Sequence, residues 1–74
     1  MKKTIEELEN RLNKIFDYYC EVYRSTKSEF LIYKTINGCT FRCLVPFGEF
    51  KDIISLSDDE LFNYVSDELH FELI

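Results

Sequence analysis

Cysteine and histidine are the residues of this chain best suited to nucleophilic or proton-transfer chemistry: Cys20, Cys39, Cys43 and the lone His70. A thiolate nucleophile needs a base within hydrogen-bond reach and a third group to orient that base. No local spacing joins any of these cysteines to His70. Cys39 and Cys43 fall four residues apart on one strand, about 13 Å between Cα atoms at ~3.3 Å per residue. A disulfide needs less than about 7 Å, so these two are expected neither to pair nor to share a metal. All three thiols are expected as small buried hydrophobes in a reducing compartment.

The carboxylates offer a second chemistry. Asp52, Asp58, Asp59 and Glu60 suggest a cation site, yet they lack the alternating oxygen ligands and central glycine of an EF-hand loop. Capping of a helix and solvation account for Asp58 to Glu60. Gly38 and Gly48 are the only glycines and both sit at expected turns, so no phosphate-cradling loop is present. The expectation is therefore no catalytic residue, no metal, no cofactor and no enzyme activity.

Charge is distributed unevenly along the chain. Residues 1–48 hold six acids and eight bases, a balance of +2, whereas residues 49–74 hold eight acids and Lys51, a balance of −7 with His70 neutral. A net charge of −5 argues against direct nucleic-acid binding. Tyr33 opposite Arg42, with Lys34 and Lys27 nearby, resembles a small stacking platform, for which cross-strand packing of Arg on Tyr is the plainer explanation. An acidic, rigid domain can instead occupy a basic groove by presenting carboxylates where phosphates would lie. The expected partner-binding residues are Glu49, Asp52, Asp59, Asp67 and Glu68, and the expected partner is a basic, nucleic-acid-binding protein.

The element that must position all of this is a β-hairpin over Glu29 to Phe47. Two runs rich in β-branched and aromatic residues flank Asn37-Gly38, which favours a two-residue type I′ turn. That turn pairs Ile36 with Cys39, Thr35 with Thr40, Lys34 with Phe41, Tyr33 with Arg42, Ile32 with Cys43, Leu31 with Leu44 and Phe30 with Val45. One face then carries Phe30, Ile32, Ile36, Cys39, Phe41, Cys43 and Val45, with Lys34 as its only charge, and is expected to meet the core. Leu31, Tyr33, Thr35, Thr40, Arg42 and Leu44 make a mixed, half-wet face.

Thr4 and Glu7 read as a capping box, and Ile5, Leu8, Leu12, Ile15, Tyr19 and Val22 recur at helical spacing. A helix of about five turns ending near Arg24 is expected, with a Glu7–Arg11 pair on its surface and a stripe for self-association through Ile5, Leu8, Leu12, Ile15 and Tyr19. Pro46 and Gly48 end the second strand. Glu49 to Ser55 fits one or two helical turns or a short strand, and an irregular third strand is the preferred reading. Ser57 to Glu60 is a second capping box, with Leu56 and Leu61 as its hydrophobic staple. Leu61, Phe62, Val65 and Leu69 are the expected buried stripe of this helix, with Asp59, Asn63, Asp67 and His70 on the far side. From Leu69 the pattern turns to period two, which allows a short strand beside the hairpin.

Seventy-four residues make one domain, 1–74, with a small core. The apolar fraction of 46% and the aromatic fraction of 16% exceed what a disordered chain would carry. The fold class is α+β: an N-terminal helix, a small antiparallel sheet of two to four strands and a C-terminal helix, in an αββ(β)α(β) outline. With no signal-like or membrane-spanning run, a cytoplasmic location is expected. In size, acidity and outline the chain resembles the small phage-encoded inhibitors of host nucleic-acid machinery, some anti-CRISPR proteins among them. That resemblance implies a non-enzymatic inhibitor of DNA-mimic type. The alternative is a small interaction or regulatory subunit that forms homodimers or hetero-oligomers through its first helix.

Overall fold

The computed structural model describes residues 2–74, with side chains from Thr4 onward. Helix α1 (Lys2–Ile15) leads into strands β1 (Tyr19–Arg24), β2 (Glu29–Ile36) and β3 (Cys39–Pro46); helices α2 (Phe47–Ile53) and α3 (Asp58–Asn63) follow. Helix α3 widens into a π-helical turn over Tyr64–Glu68, and strand β4 (Glu72–Leu73) closes the chain. The strands form one antiparallel sheet in the order β1-β2-β3-β4. The α+β class expected from the sequence is thus the observed one.

Asn37 and Gly38 have φ of 51° and 81°, both in the left-handed region that a type I′ turn requires. All seven expected cross-strand pairs of the hairpin are present. Phe30, Ile32, Cys43 and Val45 are buried on the inner face, while Ile36 and Phe41 are half-buried nearer the turn. Cys39 is a correction: it shares that face but is exposed, because it adjoins the solvent-exposed turn residues Asn37 and Gly38, where even its partner Ile36 is only half-buried. Lys34, the one charge on the hairpin's inner face, holds its ammonium 4.0 Å from the Phe71 ring centroid, with Tyr18 at 5.7 Å and Phe41 at 5.8 Å. Three π-faces therefore take the place of a counter-ion.

The first helix is shorter than its periodicity predicts. It ends at Ile15, and Tyr19–Arg24 pairs antiparallel with β2 as an edge strand. Within that segment Cys20 and Val22 are buried while Tyr19 and Tyr23 are exposed, which is period two. The spacing of Ile15, Tyr19 and Val22 mimicked a helical stripe, but tyrosines and valine favour a pleated, half-buried surface. Burial of the hairpin's second edge then decides the matter. Thr4 lies inside α1 rather than at its cap, since the helix already begins at Lys2.

Leu8 and Leu12 are 1% and 0% exposed within the chain's own core, with Ile5 and Ile15 packed against it. Tyr19, 57% exposed, belongs to the sheet, so the five residues of the expected association stripe share no common surface. Arg11 turns away from the expected Glu7 pairing. Its Nη2 donates to Leu56 O at 2.6 Å, and Nε and Nη2 donate to Asp58 Oδ1 at 3.1 and 3.0 Å. This ties α1 to the entry of α3.

Residues 47–53 form helix α2, not the third strand preferred from sequence. Phe50 and Ile53, three apart on one helical face, are both buried, and Phe50 stacks on Phe30 with centroids 3.9 Å apart. Ser57 forms its capping box: its hydroxyl accepts from Glu60 N–H, and Glu60 Oε1 accepts from Ser57 N–H. Leu61 and Val65 are buried and Leu69 half-buried, as expected, but Phe62 is 44% exposed. It lies outside the stripe and stacks on Phe16 at 4.8 Å. The tail forms the short strand that period two allowed, pairing Phe41 with Leu73 and Arg42 with Glu72.

Candidate functional site

Glu49 and Asp52 stand on α2, Asp59 on the first turn of α3, and Asp67 and Glu68 on the π-helical turn; all five are exposed. Tyr64 brings part of this set together. Packing of α2 and of the α3 end on the same core sets its phenol beside α2, where Oη donates to Glu49 Oε1 at 3.4 Å. Burial first, then the charge and hydrogen bond of Glu49, then the charges of Glu68 and Asp52 push the Tyr64 hydroxyl up. Of these carboxylates Glu49 alone is hydrogen-bonded to the phenol. Asp59 and Asp67 remain exposed, and no described bond links them to this cluster.

None of these five carboxylates forms an ion pair with a described side chain; among the described residues Arg11–Asp58 is the ion pair present. Lys51, the one base of the acidic half, rests 5.9 Å from the Phe47 ring centroid instead. These residues are therefore solvated, unneutralised acids on short helical elements. Such a surface can attract and orient a basic partner. Tyr64 was not found by sequence reasoning, because its position depends on α2 being a helix.

Cys20 and Cys43 are buried and Cys39 is exposed. Burial pushes the Cys20 thiol up to about 11, against a lowering by Lys34, and burial also pushes Cys43 up. Both thiols are protonated at neutral pH and poor nucleophiles. His70 is exposed beyond the π-helical turn. Among the described residues no group of three or more His, Cys, Asp and Glu side chains could hold a metal ion.

The outer face of the sheet carries a second set of polar and aromatic groups. Its central row runs Glu21, Tyr33, Arg42 and Glu72 across all four strands. The Tyr33–Arg42 juxtaposition expected from the hairpin register is present in this row. Tyr19, Glu21 and Tyr23, added by β1, were missed when that segment was read as helix; the alternation with Cys20 and Val22 was the signal. No family model matches the chain, and no curated protein or solved structure matches it.

Proposed function

We propose that the protein is a non-catalytic binding domain that engages a basic surface of another protein through the carboxylates around Tyr64. The single observation that supports this is the Tyr64–Glu49 hydrogen bond, which joins the π-helical turn to α2, with no described cation paired to Glu49, Asp52 or Glu68. Like charges held together on short helices repel one another, and a basic partner relieves that repulsion. In its finer form the reading is inhibition by mimicry, with carboxylates standing where a nucleic-acid backbone would lie in the partner's groove.

The test compares the natural protein with a triple variant, E49K/D52K/E68K, as immobilised baits. All three positions are exposed, so the variant should retain its far-ultraviolet circular dichroism. A basic protein should bind the natural bait, release as salt rises past the ~8 Å screening length of physiological buffer, and ignore the variant. Equal capture by both baits would refute the acidic-face reading. DNA or RNA should compete for that partner; simultaneous binding of nucleic acid with undiminished affinity would refute mimicry and leave an interaction subunit.

A further inference from the structure

A second concave site of about 450 Å³ lies on the outer face of the sheet, away from the helices. Tyr19, Tyr23 and Tyr33 line it together with Glu21, over a floor that includes Leu31. Tyr23 meets Tyr33 edge to face at 5.6 Å, and Tyr23 Oη donates to Glu21 Oε2. One carboxylate thus sits among three rings, held by one of them. The Glu9 carboxylate adds negative charge at the same edge, where it accepts from Val22 N–H at 2.9 Å.

One cation, Arg24, lines the concavity at its Ser25 end, but its guanidinium is already bonded to backbone carbonyls. Arg24 turns to the β1–β2 connection, donating to Thr26 O and Lys27 O at 3.3 Å each and lying 5.6 Å from the Phe30 ring centroid. Arg42 stands beyond Tyr33, paired across the strands with Glu72, and does not line the concavity. A nucleic-acid strand would bring phosphates against Glu21 and Glu9. A flat cation fits better, because its face stacks on a ring while its edge donates to the carboxylate, which a guanidinium does and a compact ammonium does less well.

We propose that this face is a second binding site, which takes an arginine side chain of a partner protein among Tyr19, Tyr23 and Tyr33 with Glu21 as counter-charge. It is built on other elements than the Tyr64 cluster and stands whether or not that cluster binds a partner. The probe is the capped tripeptide acetyl-Gly-Arg-Gly-amide, titrated while the tyrosine ring resonances are followed by NMR, with the citrulline tripeptide as its uncharged control. The arginine peptide should shift Tyr19, Tyr23 and Tyr33 and leave Tyr64 unmoved, and citrulline should bind about tenfold more weakly. Glu21→Gln should weaken the arginine peptide by about the same factor with its amide spectrum still dispersed, whereas E49Q/D52N/E68Q should leave it unchanged. Equal binding by citrulline, unchanged affinity in Glu21→Gln, no ring shift at millimolar peptide, or shifts centred on Tyr64 would each overturn the assignment. So would a single-stranded oligothymidylate that moves the three rings in the peptide's place.

Discussion

The carboxamide of Asn13 is bonded to the backbone of Cys20 from both sides: Oδ1 accepts from Cys20 N–H at 2.9 Å, and Nδ2 donates to Cys20 O at 2.8 Å. One turn earlier on α1, Glu9 accepts from Val22 N–H. Cys20 and Val22 turn these groups away from β2, so two side chains of the helix fill ladder positions that a fifth strand would otherwise take. An open edge is a template for pairing with another chain, and here it is partly closed.

Asn13→Ala should therefore destabilise the fold by about 1–2 kcal/mol, because it leaves a donor and an acceptor at a partly buried edge without partners. Denaturant unfolding measures that loss. Hydrogen exchange should report it locally, with the Cys20 amide accelerated more than amides of the β2–β3 ladder. Uniform acceleration across the sheet would mean that Asn13 serves only the global fold.

Gly38 and Gly48 make a matched pair of backbone tests. Neither would bring an added Cβ within 4 Å of another group, but Gly38 alone has a positive φ, at 81°. Gly38→Val should cost about 1 kcal/mol or more, all of it backbone strain. Gly48→Ala should stabilise by about 0.5–1 kcal/mol, since Gly48 lies in α2 with ordinary helical backbone. Thermal unfolding of the two variants should shift in opposite directions.

Arg11 is expected to matter more than its ion pair with Asp58. Asp58 is 61% exposed at its side chain, so Asp58→Asn should cost less than about 1 kcal/mol. Arg11→Ala also strips hydrogen bonds from Leu56 O and, at 3.4 Å, from Ile54 O. A loss of about 1.5–3 kcal/mol is expected. Equal costs for the two variants in urea titrations would show that the ion pair carries the interaction.

The thiols give a pH-dependent test. At pH 8 a thiol reagent should label Cys39 rapidly, and Cys20 and Cys43 only as the domain opens; Cys39→Ser should abolish the rapid phase. The Cys20 thiol rises from 9.0 to about 11 on folding, so between those values the unfolded chain has lost a proton that the folded chain keeps. Stability is complete below pH 9 and falls as pH climbs toward 11. Tyr18, pushed up to about 12 mainly by burial, extends the decline. Stability that is flat from pH 8 to 11 would contradict the burial of these groups.

The hairpin was legible in the sequence because Asn37-Gly38 and strict alternation fix register locally. The Ser57–Glu60 capping box was legible for the same reason: both partners lie within four residues. Strand β1 was not, because what makes Tyr19–Arg24 a strand is a nonlocal partner, the free edge of β2. The helical state of α2 was equally hidden, since seven residues with Phe50 and Ile53 as anchors fit either period until the position of Phe30 is known. Arg11 shows the limit most simply, for the local rule offered Glu7 and the fold supplied Asp58 and two carbonyls. Of the five acidic residues expected to bind a partner, the exposure of Asp59 and Asp67 was readable from helical patterning; Glu68 falls within the apolar stripe of a regular helix and is exposed where the chain widens into the π-helical turn, and the bond from Tyr64 to Glu49 required α2 to be a helix.

The strand order β1-β2-β3-β4 follows the order of synthesis, and this bears on how quickly the chain finds its structure. The first three strands dock each on the one made just before it, across the short Ser25–Ser28 connection and then across Asn37-Gly38, and β4 joins β3 only after the helices of residues 47–68. Closing such short loops sacrifices little chain entropy, and domains dominated by neighbouring contacts fold faster than those with crossed strands. Stopped-flow refolding should accordingly show one rapid phase, with the β2–β3 pair as its nucleus. Inserting flexible residues between Asn37 and Gly38 should slow folding more than the same insertion between Lys27 and Ser28.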